Sequence, residues 1–129
     1  MSKKVLVVDD EEQIRKITKG MLVKNGYDVF MASSVHEALN MWRENKIGII
    51  LSDLNMHDDL DGLSLCSRIR SEDIRTIMVA ITGLIDAYTL NLCLTVGFRD
   101  VLQKPITIAE LLSVMNCVSN QRDRWKEMP

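Results

Sequence analysis

The 129-residue sequence has little net charge, few cysteines, no long apolar run and no glycine-rich loop. Each shortage excludes something. A formal net charge of −2 does not supply the basic surface that nonspecific nucleic-acid binding needs, so no direct nucleic-acid partner is expected. No apolar run approaches the roughly 20 residues of a membrane span, so no membrane partner is expected either. The opening MSKKVLVV is not a cleavable signal, because its apolar run is short and ends in acids. Cys66, Cys93 and Cys117 are odd in number, widely spaced and form no CxxC. They read as reduced, mostly buried thiols of a cytoplasmic protein. DDEEQ follows the first apolar run where a phosphate-cradling loop would carry glycines. Acids there repel phosphate unless a cation intervenes, which disfavours a flavin or dinucleotide module.

What is present is an ordinary globule in composition, 47% apolar and 26% charged, with length enough for one domain and a proper core. Strand-like and helix-like segments alternate. Lys4–Val8 reads as a strand, followed by a helical stripe of Ile14, Ile17, Met21 and Leu22, closed by Asn25-Gly26. Tyr27–Met31 is a second strand, before a helix capped by Ser33 or Ser34 and striped by Val35, Ala38, Leu39 and Trp42. Ile47–Leu51 leads to Asp53, and Leu63, Cys66 and Ile69 stripe a third helix. Thr76–Ile81 ends at Thr82, a fourth helix spans Ile85–Val96, and Val101–Gln103 ends at Lys104. Ile108, Leu111, Leu112, Met115 and Val118 stripe the last helix. Continuous Val/Ile/Leu runs are strands buried on both faces. The expected fold is therefore α/β: five βα units forming a five-stranded parallel sheet, doubly wound (flavodoxin-like) in a three-layer sandwich.

In such a sheet, ligands bind beyond the carboxyl ends of the strands. Those ends carry Asp9 and Asp10, Asp53, Thr82 and Lys104. Three carboxylates close together repel, and one lysine offsets a third of that charge. A divalent cation would cancel the remainder, and oxygen-only donors suit Mg²⁺. A carboxylate, a hydroxyl, an amine and Mg²⁺ suit phosphoryl transfer to an aspartate, with Asp53 as nucleophile.

With VDDE at 8–11, SDLNM at 52–56, DG at 61–62, TG at 82–83 and KP at 104–105, the sequence resembles the receiver domains of two-component response regulators, chemotaxis-regulator-like in type. The resemblance runs from Lys3 to about Asn120, which makes residues 1–120 a receiver domain and 121–129 a polar tail, either a helix end or the start of a linker. It implies that Asp53 accepts a phosphoryl group from a sensor histidine kinase or phosphotransfer protein. It implies Mg²⁺ held by Asp9, Asp10, Asp53 and the backbone carbonyl of Asn55, with Thr82 and Lys104 contacting the phosphoryl group and coupling it to a switch. It also implies a cis peptide before Pro105, cytoplasmic location, and partners docking around helix four, strand five and helix five, a homodimer or a downstream effector among them. No helix-turn-helix or catalytic domain follows residue 120, so the chain is expected to stand alone or to be the first domain of a longer one.

Three features depart from the family pattern. The loop after the acceptor reads MHDDLDG, with His57 in place of proline and one residue inserted before Asp61-Gly62; altered kinase pairing or dephosphorylation is one reading, a solvated, drifted turn the other. Val101 stands where an aromatic switch residue is usual, and Gly83 where alanine is commoner. The fourth helix is apolar nearly all round, which makes Tyr88 and Leu92 candidates for an interaction face. Trp42 reads as core, and Trp125 either as an anchor or as part of a tail. Two alternatives stay open: a degenerate receiver acting as a phosphorylation-independent platform, and a small aspartate-nucleophile phosphohydrolase. The second usually has another acid two residues after its nucleophile; here that residue is Asn55.

Overall fold

A computed structural model describes residues 3–56 and 61–127, with side chains through residue 124. Five strands and five helices alternate: β1 (Lys3–Val8), α1 (Glu12–Val23), β2 (Tyr27–Ala32), α2 (Val35–Asn45), β3 (Ile49–Asp53), α3 (Asp61–Glu72), β4 (Ile77–Thr82), α4 (Ala87–Val96), β5 (Asp100–Gln103) and α5 (Ile108–Glu127). All pairings are parallel, in the order β2-β1-β3-β4-β5.

Strand side chains alternate between two cores, as a pleated sheet buried on both faces requires. Leu6, Val8, Ile50, Met78 and Ala80 face α2, α3 and α4, whose Leu39, Trp42, Leu65, Ile69 and Cys93 fill that layer. Val5, Val7, Ile49, Leu51, Val79 and Ile81 face α1 and α5, represented by Leu22, Leu111, Met115 and Val118. Trp42 is core, as expected; its indole N–H donates to Thr76 Oγ1 at 3.1 Å, so its polar end is satisfied. Cys66 and Cys93 are buried and free, whereas Cys117 is exposed on α5.

Element ends follow local chemistry. Ser34 is the cap of α2, accepting from the Glu37 N–H at 3.2 Å. The fourth helix begins two residues later than its apolar run, because Asp86 caps it by accepting from the Thr89 N–H at 2.7 Å. The third strand also begins two residues late: Lys46 is left-handed (φ 52°), and Ile47 and Gly48 enter the strand from that turn. At Gly48 an ideal Cβ would lie 2.5 Å from Arg122 Nε, so glycine makes room for a guanidinium from α5. The last helix continues through Glu127, and its residues 119–123 bond to the body: Lys3 Nζ reaches Asp123 Oδ2 at 2.7 Å, Arg99 Nε donates to Gln121 Oε1 at 2.7 Å, and Arg122 Nη1 donates to Arg75 O at 2.7 Å. No helix among the described residues is long and apolar enough to cross a membrane.

Candidate functional site

The sheet order reverses between β1 and β3, and the carboxyl ends of the strands gather charge there. Asp9 follows β1, Asp53 ends β3, Thr82 ends β4 and Lys104 follows β5. Carboxylate oxygens of Asp9, Asp10 and Asp53 all lie within 4.8 Å of one another. Lys104 Nζ lies 3.2 Å from Asp9 Oδ2 and 3.2 Å from Asp53 Oδ2. The Lys104–Pro105 peptide beside it is cis.

Asp9 is held at three of its four polar atoms. Its N–H donates to Ala32 O at 3.1 Å, its carbonyl accepts from Arg15 Nη1 at 2.7 Å, and its Oδ1 accepts from the Glu11 N–H at 2.9 Å. Oδ2 is buried and ion-paired with Lys104 Nζ at 3.2 Å, with no directed hydrogen bond. Asp53 Oδ1 accepts from the Asn55 N–H at 3.3 Å, and its carbonyl accepts from Ser52 Oγ at 3.0 Å. Gly62 presses on the same place: a Cβ there would lie 2.5 Å from Asp53 O and 2.8 Å from Leu54 Cα. Only hydrogen lets the start of α3 close over the end of β3.

Burial pushes the Asp53 carboxyl above the usual aspartate range; Lys104 opposes the rise and Asp9 adds to it. For Lys104, burial disfavours the ammonium, but Asp53 and Asp9 outweigh it and its pKa lies above that of ordinary lysine. Three carboxylates thus gather around one ammonium, which pairs with two of them, Asp9 and Asp53. The excess negative charge, the oxygen-only donor set and the buried Oδ2 of Asp9 fit a hard divalent cation.

Thr82 is buried beside Lys104, whose N–H donates to Thr82 O at 2.8 Å, and its hydroxyl lies 3.3 Å from both N and O of Leu84. Asn55 is exposed at the rim. Val101 is half-buried against the core that includes Phe98 and Cys93. On α4, Tyr88 is 73% exposed, but Leu92 is only half-exposed; Leu90 and Leu94, with Leu84 in the loop before the helix, are the more open apolar residues. His57, Asp58 and Asp59 lie outside the described residues. Sequence reasoning missed Arg15. Its signal was a base in the first turns of a helix, where the dipole favours acids.

A family model described as the response regulator receiver domain matches residues 5–116. The chain belongs to the response regulator receiver family. The alkaline phosphatase synthesis transcriptional regulatory protein PhoP of Bacillus subtilis is 34% identical over 111 residues, covering 86% of this chain and 46% of that protein. The sensor histidine kinase RcsC of Salmonella typhi is 36% identical over 107 residues, 83% of this chain and 11% of the kinase. The chain thus spans less than half the length of either curated relative. A receiver domain protein from Clostridium thermocellum has a solved structure similar to this one, with a TM-score of 0.88 and 29% identity, covering 95% of this chain and 98% of that one. This receiver is thus a signalling domain of the two-component type, outside the usual enzyme classes, and relatives of it occur within both regulators and kinases.

Proposed function

We propose that this receiver accepts a phosphoryl group on Asp53 from a phosphohistidine of a sensor kinase or phosphotransfer protein, with Mg²⁺ held by Asp9, Asp10, Asp53 and the Asn55 backbone carbonyl. The observation that carries this is one constellation: three carboxylates with oxygens within 4.8 Å, Asp9 and Asp53 buried and sharing Lys104. An Asp53 oxygen attacks phosphorus, the donor P–N bond breaks, and its electron pair stays on the imidazole nitrogen, leaving an acyl phosphate. When bound, Mg²⁺ supplies charge neutralisation for the phosphoryl oxygens. Lys104 turns its ammonium from Asp53 Oδ2 to a phosphoryl oxygen. The Thr82 hydroxyl leaves Leu84 for another, and the loop before α4 moves with it. The partner-binding face would then be α4, β5 and α5, where Tyr88, Leu90 and Leu94 stand open and Leu92 supports them. Water later hydrolyses the acyl phosphate, so the domain's own site catalyses both gain and loss, and the domain acts as a switch.

The test is incubation with acetyl phosphate, with and without Mg²⁺, followed by intact mass measurement. A phosphoryl adduct that requires Mg²⁺ and vanishes in Asp53→Asn is the expected result. An adduct retained by a folded Asp53→Asn protein would sink the assignment. Val101 favours a second reading: packed into the core, it leaves no aromatic side chain to report the phosphorylated state. In that reading the domain is a platform whose α4 face binds its partner regardless of phosphate, and a folded wild type that takes no adduct would select it.

A further inference from the structure

Arg15 projects from α1 back over the acid turn, and its guanidinium donates to the Asp9 carbonyl at 2.7 Å. The side chain is half-buried. With the Asp9 N–H on Ala32 and Oδ1 on the Glu11 N–H, this bond completes the immobilisation of Asp9 and leaves Oδ2, ion-paired with Lys104, as its one polar atom without a directed hydrogen bond. We infer that Arg15 is a positioning residue for the divalent cation, acting through the Asp9 carbonyl to hold the β1–α1 turn in its cation-binding shape. The inference rests on the cation site proposed above.

Charge and position make opposite demands, and that makes the idea testable. A guanidinium near a cation site repels the cation, so its removal on charge grounds alone tightens binding. Loss of a bond that orients a ligand weakens it, commonly tenfold or more. A residue serving only stability would change Tm and leave the cation affinity alone.

The experiment is calorimetric titration of the folded protein with MgCl₂, in wild type, Arg15→Met, Arg15→Lys and Asp9→Asn, with Tm measured for each. The expected order of affinity is wild type, then Arg15→Lys, then Arg15→Met weaker by about tenfold. An Arg15→Met affinity equal to or tighter than wild type overturns the inference. Should Arg15→Met not fold, Arg15→Lys decides: weaker binding at unchanged Tm supports the positioning role, and wild-type affinity overturns it. The cation site itself is judged separately. If wild type binds no Mg²⁺, or Asp9→Asn binds as well as wild type, the site reading fails and the inference falls with it.

Discussion

At the scale of single residues, Asp53 is costly to the fold it serves. Burial raises its pKa above the unfolded value, so the native state binds the proton more tightly than the unfolded chain does. By linkage, the contribution of Asp53 to metal-free stability is fully present below the unfolded carboxylate pKa and is lost as pH rises through the raised one. At neutral pH the ionised site is therefore a strain on the fold. Asp53→Asn should raise Tm by about 4 °C in metal-free buffer at pH 7, on the order of 1 kcal/mol for a chain of this size. The gap should narrow when Mg²⁺ is added, because the cation stabilises wild type more than the variant. A scanning calorimetry series across pH checks this, and a variant less stable than wild type without metal would contradict it. Gly62 is the other decisive position. Gly62→Ala places a methyl against Asp53 O and Leu54 Cα; urea unfolding should show a loss of roughly 1–3 kcal/mol, with slower phosphorylation by acetyl phosphate.

Among the elements, what was legible in the sequence was whatever has a period or an end. The parallel sheet showed in unbroken aliphatic runs, and the acids, Thr82 and Lys104 showed because each sits where such a run stops. Starts were less legible. Two elements begin two residues late, for reasons that involve a cap in one case and the left-handed turn at Lys46 in the other. The rotation of α4 was not legible at all. A helix apolar on every side has no stripe to fix its orientation, so Leu92 was picked where Leu90 and Leu94 prove more open. Arg15 was hidden because its partner is a backbone carbonyl, which has no letter in the sequence. The proposed α4 face gives a prediction at this scale. Tyr88→Ala or Leu94→Ala should change stability by less than about 1 kcal/mol, since both side chains are largely exposed. Each should still accept phosphate on Asp53 at the wild-type rate by intact mass, and a loss of phosphorylation would place them in the chemistry instead of the interface.

For the whole molecule, the polar stretch after residue 120, expected as a helix end or the start of a linker, continues α5 through Glu127 and is tied down. Gln121, Arg122 and Asp123 reach Arg99, Arg75 and Lys3, at the end of the sheet opposite the acids. These bonds are partly exposed, and each is worth under about 1 kcal/mol. Ending the chain at Asn120 should therefore lower stability by about 1–2 kcal/mol in urea unfolding and leave Mg²⁺ affinity unchanged.

The same contacts make a mechanical figure with the site. The strand β1 is joined to the stretch containing α5 by two rungs: Asp9 with Lys104 above and Lys3 with Asp123 below. A phosphoryl group that draws Lys104 away loosens the upper rung only. Any movement that Lys104 passes on to α5 would therefore be largest near its start and smallest at Asp123, where the lower rung holds.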